Sequence, residues 1–456
     1  MQPEKLVQRL AEAFSDRQLF LVGGCLRDQL LGREISDLDL ATDARPDDIR
    51  SRVESWADSV WRVGERFGTV GLSKGGVKAE VTTFRSESYD GISRKPEVAF
   101  GTDLHADLSR RDFTINAIAR DVHTGAVLDP CHGRRDLNDR IVRFVGEPEA
   151  RIREDPLRVL RAVRFCAQLG FELAPEAAAA IATYAEELRR ISRERIRDEF
   201  DGILLATNPK EGLRLAIDLG LTEHFIPELP NLHLPEPGRH HMKDVLEHTL
   251  DTVANVPPKL GLRYAGLLHD IAKPGTFTSD ESGVHFHRHE KIGAESAREI
   301  LTRLRQPSHL IAEVQLLIVH HLRIPYYTSE WTDSAVRRLM FDLGDQLEAA
   351  IALAEADVRA SEPSDYPQFA RKLSELRARI QQVGEAGELA RMKPLLSGDE
   401  VMELLRIEPG PKVGEILGFL LDEQIEGKIA TRAEAIDAVE RRFGGRGEDA
   451  LPSSDR

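Results

Sequence analysis

Cysteine is scarce: the 456 residues include only Cys25, Cys131 and Cys166, far apart and with no C-x-x-C pair. That excludes a disulfide framework and a zinc knuckle and suits a reducing compartment. Long apolar runs are missing too. No stretch approaches the roughly 18 residues needed to cross a bilayer. The opening M-Q-P-E-K carries no basic-then-apolar signal, so a cytoplasmic protein with no membrane partner is expected. The net charge is −15, without the overall basic footprint of a nucleic-acid binder. The charge is uneven, however: between Arg110 and Arg164 twelve arginines stand against nine acids, so phosphate contacts would concentrate there. Internal repeats and low-complexity tracts are absent, and only the final G-G-R-G-E-D-A-L-P-S-S-D-R reads as disordered.

What is present is an apolar share of 41% and a chain too long for one hydrophobic core, which predicts two to four domains. The first 145 residues mix strand-like runs (Q-L-F-L-V, L-D-L-A, T-V-G-L, A-E-V-T-T-F) with glycine turns and a few helical stretches, an α/β or α+β pattern. From about 150 onward long 3.6-period segments such as L-R-V-L-R-A-V-R-F-C-A-Q-L take over, and the remainder is expected to be nearly all helical. Proline-rich stretches near 230–240 and 361–367 mark linkers.

In S-D-L-D-L-A-T, strand alternation puts Asp37 and Asp39 on one face while Leu38 and Leu40 enter the sheet. Two carboxylates held that close repel unless a cation lies between them. Hard oxygen ligands at this spacing suit Mg²⁺, which takes its remaining ligands from water and substrate phosphates. The preceding Gly23 and Gly24 allow close backbone approach to a phosphate, and a helix opening at Arg27 and Asp28 would offer free N–H groups to an anion. Glu80 in A-E-V-T-T-F is the candidate third carboxylate.

Taken in order, L-V-G-G-C-L-R-D, D-L-D-L-A-T, R-R-D-F-T-I-N-A-I-A, E-D-P-L-R-V-L-R-A-V-R-F and E-R-I-R-D-E-F resemble the successive motifs of the class II CCA-adding enzymes, the tRNA nucleotidyltransferase and poly(A) polymerase family. The resemblance implies an α+β polymerase-β-like head at 1–145 and an all-α neck at 146–235. It also implies addition of C, C and A to a tRNA 3′ end from CTP and ATP. Asp37 and Asp39 would hold Mg²⁺, with Glu80 as a third catalytic carboxylate. Asp112 and Asn116, four apart on a helical face, would lie near the ribose, and Arg110 or Arg111 near phosphate. In this family an Asp and an Arg act as an amino-acid template for the incoming base. Here they would be Asp155 and Arg158, three apart on a helix, with Glu154 and Arg161 holding them. Glu194, Arg195 and Arg197 would brace that helix. The close competitor is a poly(A) polymerase or a relative that adds only part of CCA. Against it stand V-G-E-R-F-G-T-V, where Glu65 replaces the first residue of a basic pair, and T-T-F-R-S-E-S-Y-D-G-I-S-R-K-P-E-V-A-F-G, which resembles the flexible loop that CC-only enzymes lack.

Ten of the fifteen histidines fall between His240 and His321. In A-G-L-L-H-D-I-A-K-P, His269 and Asp270 stand together on an apolar helix, an expensive place for two polar groups unless they share a metal. With His248 before them and Asp357 after, the order resembles the HD-domain metal-dependent phosphohydrolases, and implies such a domain at 236–362. His289 and either His321 or His320 would be extra ligands of a second metal. The implied chemistry is hydrolysis of a phosphoester, such as a 2′,3′-cyclic phosphate or a phosphate at a tRNA end. The mixed ligand set suits Mn, Fe, Co, Ni or Zn better than Mg. Residues 363–456 are expected to form a helical tail that contacts tRNA or packs on the helical body, with P-G-P-K-V-G opening a helix.

Overall fold

The computed structural model describes residues 2–35, 37–63, 68–88, 97–101, 103–234, 244–280, 283–361, 364–384 and 392–444. Glu65, residues 89–96 of the segment between the head motifs, His240, His241 and the final dozen residues lie outside them. The chain divides into two compact units, one of Met1–Asn231 with Arg303–Arg305 and one of Leu232–Thr302 with Gln306–Arg456.

The first unit begins with a seven-stranded mixed sheet of order β3-β4-β5-β2-β1-β8-β9. Its strands are β1 (Leu19–Val22), β2 (Asp37–Thr42), β3 (Ser59–Val63), β4 (Thr69–Lys74), β5 (Val77–Thr83), β8 (Ala119–Asp121) and β9 (Val127–Leu128). A separate hairpin pairs β6 (Arg85–Ser88) with β7 (Glu97–Phe100). In β5 the sequence V-K-A-E-V-T-T alternates, and so does its burial, with Val77, Ala79, Val81 and Thr83 inward and Lys78 and Glu80 outward. The inward row joins Leu38, Leu40, Val70 and Leu72 in a core closed by Leu6 and Leu10 from helix α1 (Pro3–Ala13), by Phe14 just after it and, after helix α2 (Gly23–Leu30), by Ile49 and Val53 from helix α3 (Pro46–Val53). The opposite face is packed only in part, where Phe20, Val22, Ala41 and Ala119 meet Leu104 and Leu108; the stretch that carries Asp37, Asp39, Lys78 and Glu80 stays open.

Helices α4 (Leu104–Ser109) and α5 (Gly133–Asp139) complete the head. They are followed by α6 (Pro148–Glu154), α7 (Arg158–Leu169), α8 (Pro175–Thr183), α9 (Arg193–Leu204) and α10 (Pro209–Asp218). The expected single helix through E-D-P-L-R is broken. A residue before proline is driven out of the α region, and Asp155 adopts φ −145°, ψ 101° ahead of Pro156. Strand is not absent beyond 140 either: β10 (Ile141–Val142) pairs in parallel with β11 (Glu172–Leu173).

The second unit contains α11 (Val245–Asn255), α12 (Leu260–Leu268), α13 (Lys273–Thr276), a hairpin of β12 (Phe277–Asp280) and β13 (Gly283–Phe286), α14 (His289–Arg303), α15 (Ser308–His320), α16 (Asp333–Leu343), α17 (Leu347–Ser361) and α18 (Tyr366–Val383). Three further helices, Gly398–Leu405, Pro411–Ile425 and Arg432–Phe443, share a core of Leu396, Val401, Ile416, Leu420 and Val439. The first and third carry capping boxes, Ser397 with Glu400 and Thr431 with Glu434. The P-G-P-K-V-G stretch does open a helix, at Pro411. The tail also packs on the helical body, since Arg337 Nε of α16 donates to the Ile425 carbonyl at 2.8 Å. Among the described residues no helix is long and apolar enough to cross a membrane.

Candidate functional site

The open face of the head sheet collects the first group of candidates. Strand β2 lies parallel to β5 in a register that sets Asp39 opposite Glu80 and Asp37 opposite Lys78. Asp37 and Glu80 are exposed, whereas Asp39 is partly buried. Burial, reinforced by Glu80 and Asp37, raises the pKa of Asp39 above the ordinary carboxylate value, while Arg111 and Arg27 oppose the rise. A carboxylate destabilised by its like-charged neighbours has the electrostatics that a divalent cation relieves, and the all-oxygen donor set fits Mg²⁺. Cys25 fixes the strand from below: its Sγ lies 3.2 Å from the Val22 carbonyl and accepts from the Asp39 amide at 3.3 Å. Burial pushes this thiol up to about 11, so it remains protonated.

Helix α2 starts at Gly23, one turn earlier than expected, so both glycines belong to its first turn and Arg27 lies within the helix. Gly23 has φ +69°, and a Cβ there would stand 3.1 Å from Arg111 Nη1 and 3.5 Å from Asp39 Oδ2. Only glycine permits this backbone so close to the carboxylate and the guanidinium.

Behind α2 runs a buried polar chain. Arg27 Nη1 donates to Asn116 Oδ1 (2.8 Å), and Asn116 Nδ2 donates to Asp112 Oδ1 (3.0 Å). Asp112 Oδ2 accepts from Arg161 Nη2 (2.7 Å) and Nε (3.0 Å). Arg161 and Arg164 both reach Glu199 on α9. Phe165 lies under three of these cations, 5.0 Å from Arg27, 5.7 Å from Arg161 and 4.9 Å from Arg164. Asp112 and Asn116 are therefore together, but not along a regular helix. Asn116 closes a short 3₁₀ turn, and both oxygens of Asp112 are engaged by protein donors, including the Phe113 amide at 2.8 Å. Burial alone would raise the Asp112 pKa; Arg161 and these hydrogen bonds bring it below the ordinary value.

The template candidates sit at the α6–α7 junction. Arg158 is buried, and its Nη1 donates to Glu154 Oε2 at 2.5 Å and to the Arg151 carbonyl at 3.0 Å. Asp155 Oδ1 accepts from the Leu157 amide and Oδ2 from Arg195 Nη2 at 2.7 Å. Glu154 therefore lies against Arg158 and the expected brace Arg195 against Asp155, while Arg161, expected beside the pair, turns to Asp112. Of the proposed braces, Arg197 pairs with its neighbour Asp198 instead.

In the second unit six side chains converge. Asp357 Oδ1 lies 3.0 Å from His248 Nε2, which is 3.2 Å from His269 Nε2; His289 Nε2 and His321 Nε2 are 3.3 Å apart. Asp270 stands between the two sets, Oδ2 3.2 Å from His269 and Oδ1 3.5 Å from His289. Two groups, His248/His269/Asp357 and Asp270/His289/His321, each have ligand atoms within 4.8 Å of one another. The opposite ring nitrogens are pinned by backbone: Nδ1 of His269, His289 and His321 faces the carbonyls of Gly266, Phe286 and Ile318 at 2.9, 2.9 and 2.7 Å. A ring that donates through Nδ1 keeps a lone pair on Nε2, which is the state a metal requires. Burial and the neighbouring His269 push His321 down to about 4, so it is neutral at pH 7. His320 is half-buried against Arg323 and lies outside the cluster. The donor set, buried and mixed imidazole and carboxylate, fits a pair of transition-metal ions. His269 and Asp270 do not lie within a helix: α12 ends at Leu268, and the pair occupies the turn that follows.

Residues 19–143 match the Poly A polymerase head domain, 170–232 the probable RNA and SrmB-binding site of polymerase A, and 241–361 the HD domain. An A-adding tRNA nucleotidyltransferase from Deinococcus radiodurans is 33% identical, over 92% of this chain and 94% of its own length. A CCA-adding enzyme from Geobacillus sp. (strain WCH70) is also 33% identical, over 92% and 91%. The chain belongs to the CCA-adding enzyme family of tRNA nucleotidyltransferases. Its fold resembles the crystal structure of the Bacillus stearothermophilus CCA-adding enzyme in complex with CTP, with a TM-score of 0.69, 28% identity and coverage of 97% and 98%.

Within this nucleotidyltransferase several polar residues escaped sequence reasoning. Asp107, 1% exposed, receives Arg110 at 2.6 Å and Arg111 at 3.2 Å, so one carboxylate aims both arginines. The signal was its spacing, three and four residues before them on α4. Glu199, which anchors Arg161 and Arg164, lay in E-R-I-R-D-E-F two residues beyond the nearest brace considered. Lys273 is 2.6 Å from Asp270 Oδ2 and one turn after it. Replacing Asp107 with Ala should leave two arginines without their buried counter-charge and cost about 3 kcal/mol, read as a lowered urea midpoint at unchanged slope.

Proposed function

We propose that the head adds C, C and A to the 3′ end of tRNA from CTP and ATP, and that the HD unit hydrolyses a phosphoester. The observation that carries the first reading is the hydrogen-bonded chain from Arg27 through Asn116 and Asp112 to Arg161. It ties the helix beside the paired carboxylates to the helix that begins at Arg158. Asp37, Asp39 and Glu80 would hold Mg²⁺, which supplies charge neutralisation of the triphosphate and activation of the 3′-hydroxyl. The first-turn amides of α2 and the guanidinium of Arg111 would receive the phosphates. Asp155 would accept from the amino group that cytosine and adenine share, and Arg158 would donate to the ring acceptors beside it. Uracil and guanine present a carbonyl to the carboxylate and are rejected.

A narrower reading, addition of A alone, has the Deinococcus relative in its favour. Three tRNA transcripts, ending before CCA, after C and after CC, decide between them when incubated with Mg²⁺ and each NTP and sequenced at the 3′ end. Full CCA addition extends all three; A addition extends only the last with ATP; a run of A residues on any of them indicates poly(A) polymerase. Arg158→Ala should lower selectivity for CTP and ATP over UTP and GTP by roughly tenfold to a few hundredfold, the loss of base-directed hydrogen bonds worth about 1–3 kcal/mol. Single-turnover incorporation of the four NTPs reads it. An equal fall for all four would mean that Arg158 serves only to join Glu154 to the Arg151 carbonyl.

In the HD unit His248, His269, Asp357, Asp270, His289 and His321 would hold two transition-metal ions, which supply an activated water and Lewis acidity. Lys273 would neutralise charge on the phosphate beside Asp270.

A further inference from the structure

The pairing of β2, β5, β4 and β3 places Asp39, Glu80, Gly71 and Trp61 in one continuous row. Side chains in such a row share a face, so Trp61 stands on the same side of the sheet as the carboxylates. Its position confirms this: a Cβ built on Gly71 would lie 2.4 Å from both Nε1 and Cε2 of the indole. The indole is thus laid over Gly71, on the strand next to Glu80, where any larger residue would lift it off the sheet. Trp61 remains partly exposed. The adjacent row on the same face runs Asp37, Lys78, Ser73 and Ser59, with Lys78 exposed.

We infer that Trp61 is a stacking platform for a base at the 3′ end of the RNA, with Lys78 as its phosphate contact. The inference rests on the proposed polymerisation reading and adds where the RNA strand lies. In-line displacement puts the attacking and leaving oxygens on opposite sides of the α-phosphate. Gly23 and Arg111 receive the phosphates on the β1 side of β2, so the attacking hydroxyl arrives from the β5 side. Gly71 is two strand spacings from β2, about 10 Å. That is the distance at which the end of a strand whose terminal ribose sits at Asp39 meets the indole. A flat aromatic ring and an ammonium group on one face of the sheet are the combination that holds single-stranded nucleic acid without reading its sequence, as a strand whose end changes from one base to another requires.

The test uses the full chain with Trp61→Phe, Trp61→Leu and Trp61→Ala. Stacking on an aromatic ring predicts that Leu and Ala raise KM for a tRNA transcript lacking CCA by about 5- to 150-fold. KM for CTP should stay within about twofold, and Phe should keep most of the RNA affinity. Leu covers Gly71 as an apolar plug, so it separates stacking from edge packing. Trp56→Phe/Trp331→Phe leaves Trp61 as the chain's one indole, whose fluorescence should be quenched by the tRNA without nucleotide and unchanged by CTP. A Leu variant with wild-type KM for tRNA, or quenching by CTP and not by RNA, overturns the inference. Should wild type add no nucleotide to any tRNA, the polymerisation reading fails, and the RNA quench still decides the role of Trp61.

Discussion

Asp39→Asn is expected to abolish nucleotide addition, by at least about a thousandfold, while tRNA affinity stays near wild type and thermal stability does not fall. The rate loss would follow from removing the carboxylate that lies opposite Glu80 and beside the Gly23 turn. Lewis-acid stabilisation is worth several kcal/mol, and each 1.4 kcal/mol is tenfold. RNA affinity is spared because Asp39 is an acid on a partly buried strand and would attract no phosphate by itself. The stability term has the opposite sign from a usual core mutation. The Asp39 pKa is raised by burial and by Glu80 and Asp37, so the folded protein holds this proton more tightly than the unfolded chain does. The ionised form therefore costs stability once the pH exceeds the unfolded value, and at neutral pH the neutral amide removes that cost. Mg²⁺ should raise the Tm of wild type and have little effect on the variant. Near-normal incorporation by Asp39→Asn at saturating Mg²⁺ would place the catalytic metal elsewhere.

Much of this head was legible in the sequence because its signals are local. Alternation in D-L-D-L and V-K-A-E-V-T-T fixes which residues face the core, and that assignment holds for Leu38 and Leu40 in β2 and along β5, whereas Ala41 is buried on the opposite face. The register that sets Asp39 beside Glu80 spans 41 residues and depends on β2 running parallel to β5, which no local pattern states. The continuous helix expected through the template candidates fails for a different reason: Pro156 lies inside E-D-P-L-R, and its effect on the preceding residue breaks the helix, so Asp155 and Arg158 flank a junction and do not share one helical face. The spacing of Asp112 and Asn116 was legible, and the two do hydrogen-bond; the partner that Arg161 makes for Asp112 depends on the neck lying against the head, which no local pattern states.

In the HD unit the order of ligands was readable and their orientation was not. His320 and His321 are adjacent at the end of α15, so composition cannot choose between them; the Ile318 carbonyl does, by holding His321 Nδ1. The β12–β13 hairpin went unnoticed because its strands are four residues each and mostly polar. It carries Phe286, whose carbonyl orients His289 in the same way.

Asp270 is the residue on which both halves of that cluster depend. It is 1% exposed, and its two oxygens face different groups, Oδ2 toward His269 and Lys273, Oδ1 toward His289. Burial alone would raise its pKa; His269 and Lys273 outweigh it and hold the carboxyl well below the usual range, so it is ionised and ready to bridge. Asp270→Ala should therefore lose both metal equivalents together, whereas His321→Ala, which touches one group, should lose one and keep the other. Phosphohydrolase activity should fall by at least about a thousandfold in the aspartate variant, the Lewis-acid contribution again being several kcal/mol. Truncation also leaves Lys273 without its buried counter-charge, costing about 3–5 kcal/mol, so Asp270→Asn, which keeps the shape, is the second variant to compare. CCA addition should persist in both, because its candidate ligands Asp37, Asp39 and Glu80 belong to the other compact unit. Metal content by mass spectrometry, hydrolysis of 2′,3′-cyclic and 2′-phosphate nucleotides with Mn²⁺, Co²⁺, Ni²⁺ or Zn²⁺, and circular dichroism read the three effects separately. A folded Asp270→Asn that retained two metal equivalents would show that the ions are held by the histidines and Asp357 without a bridge.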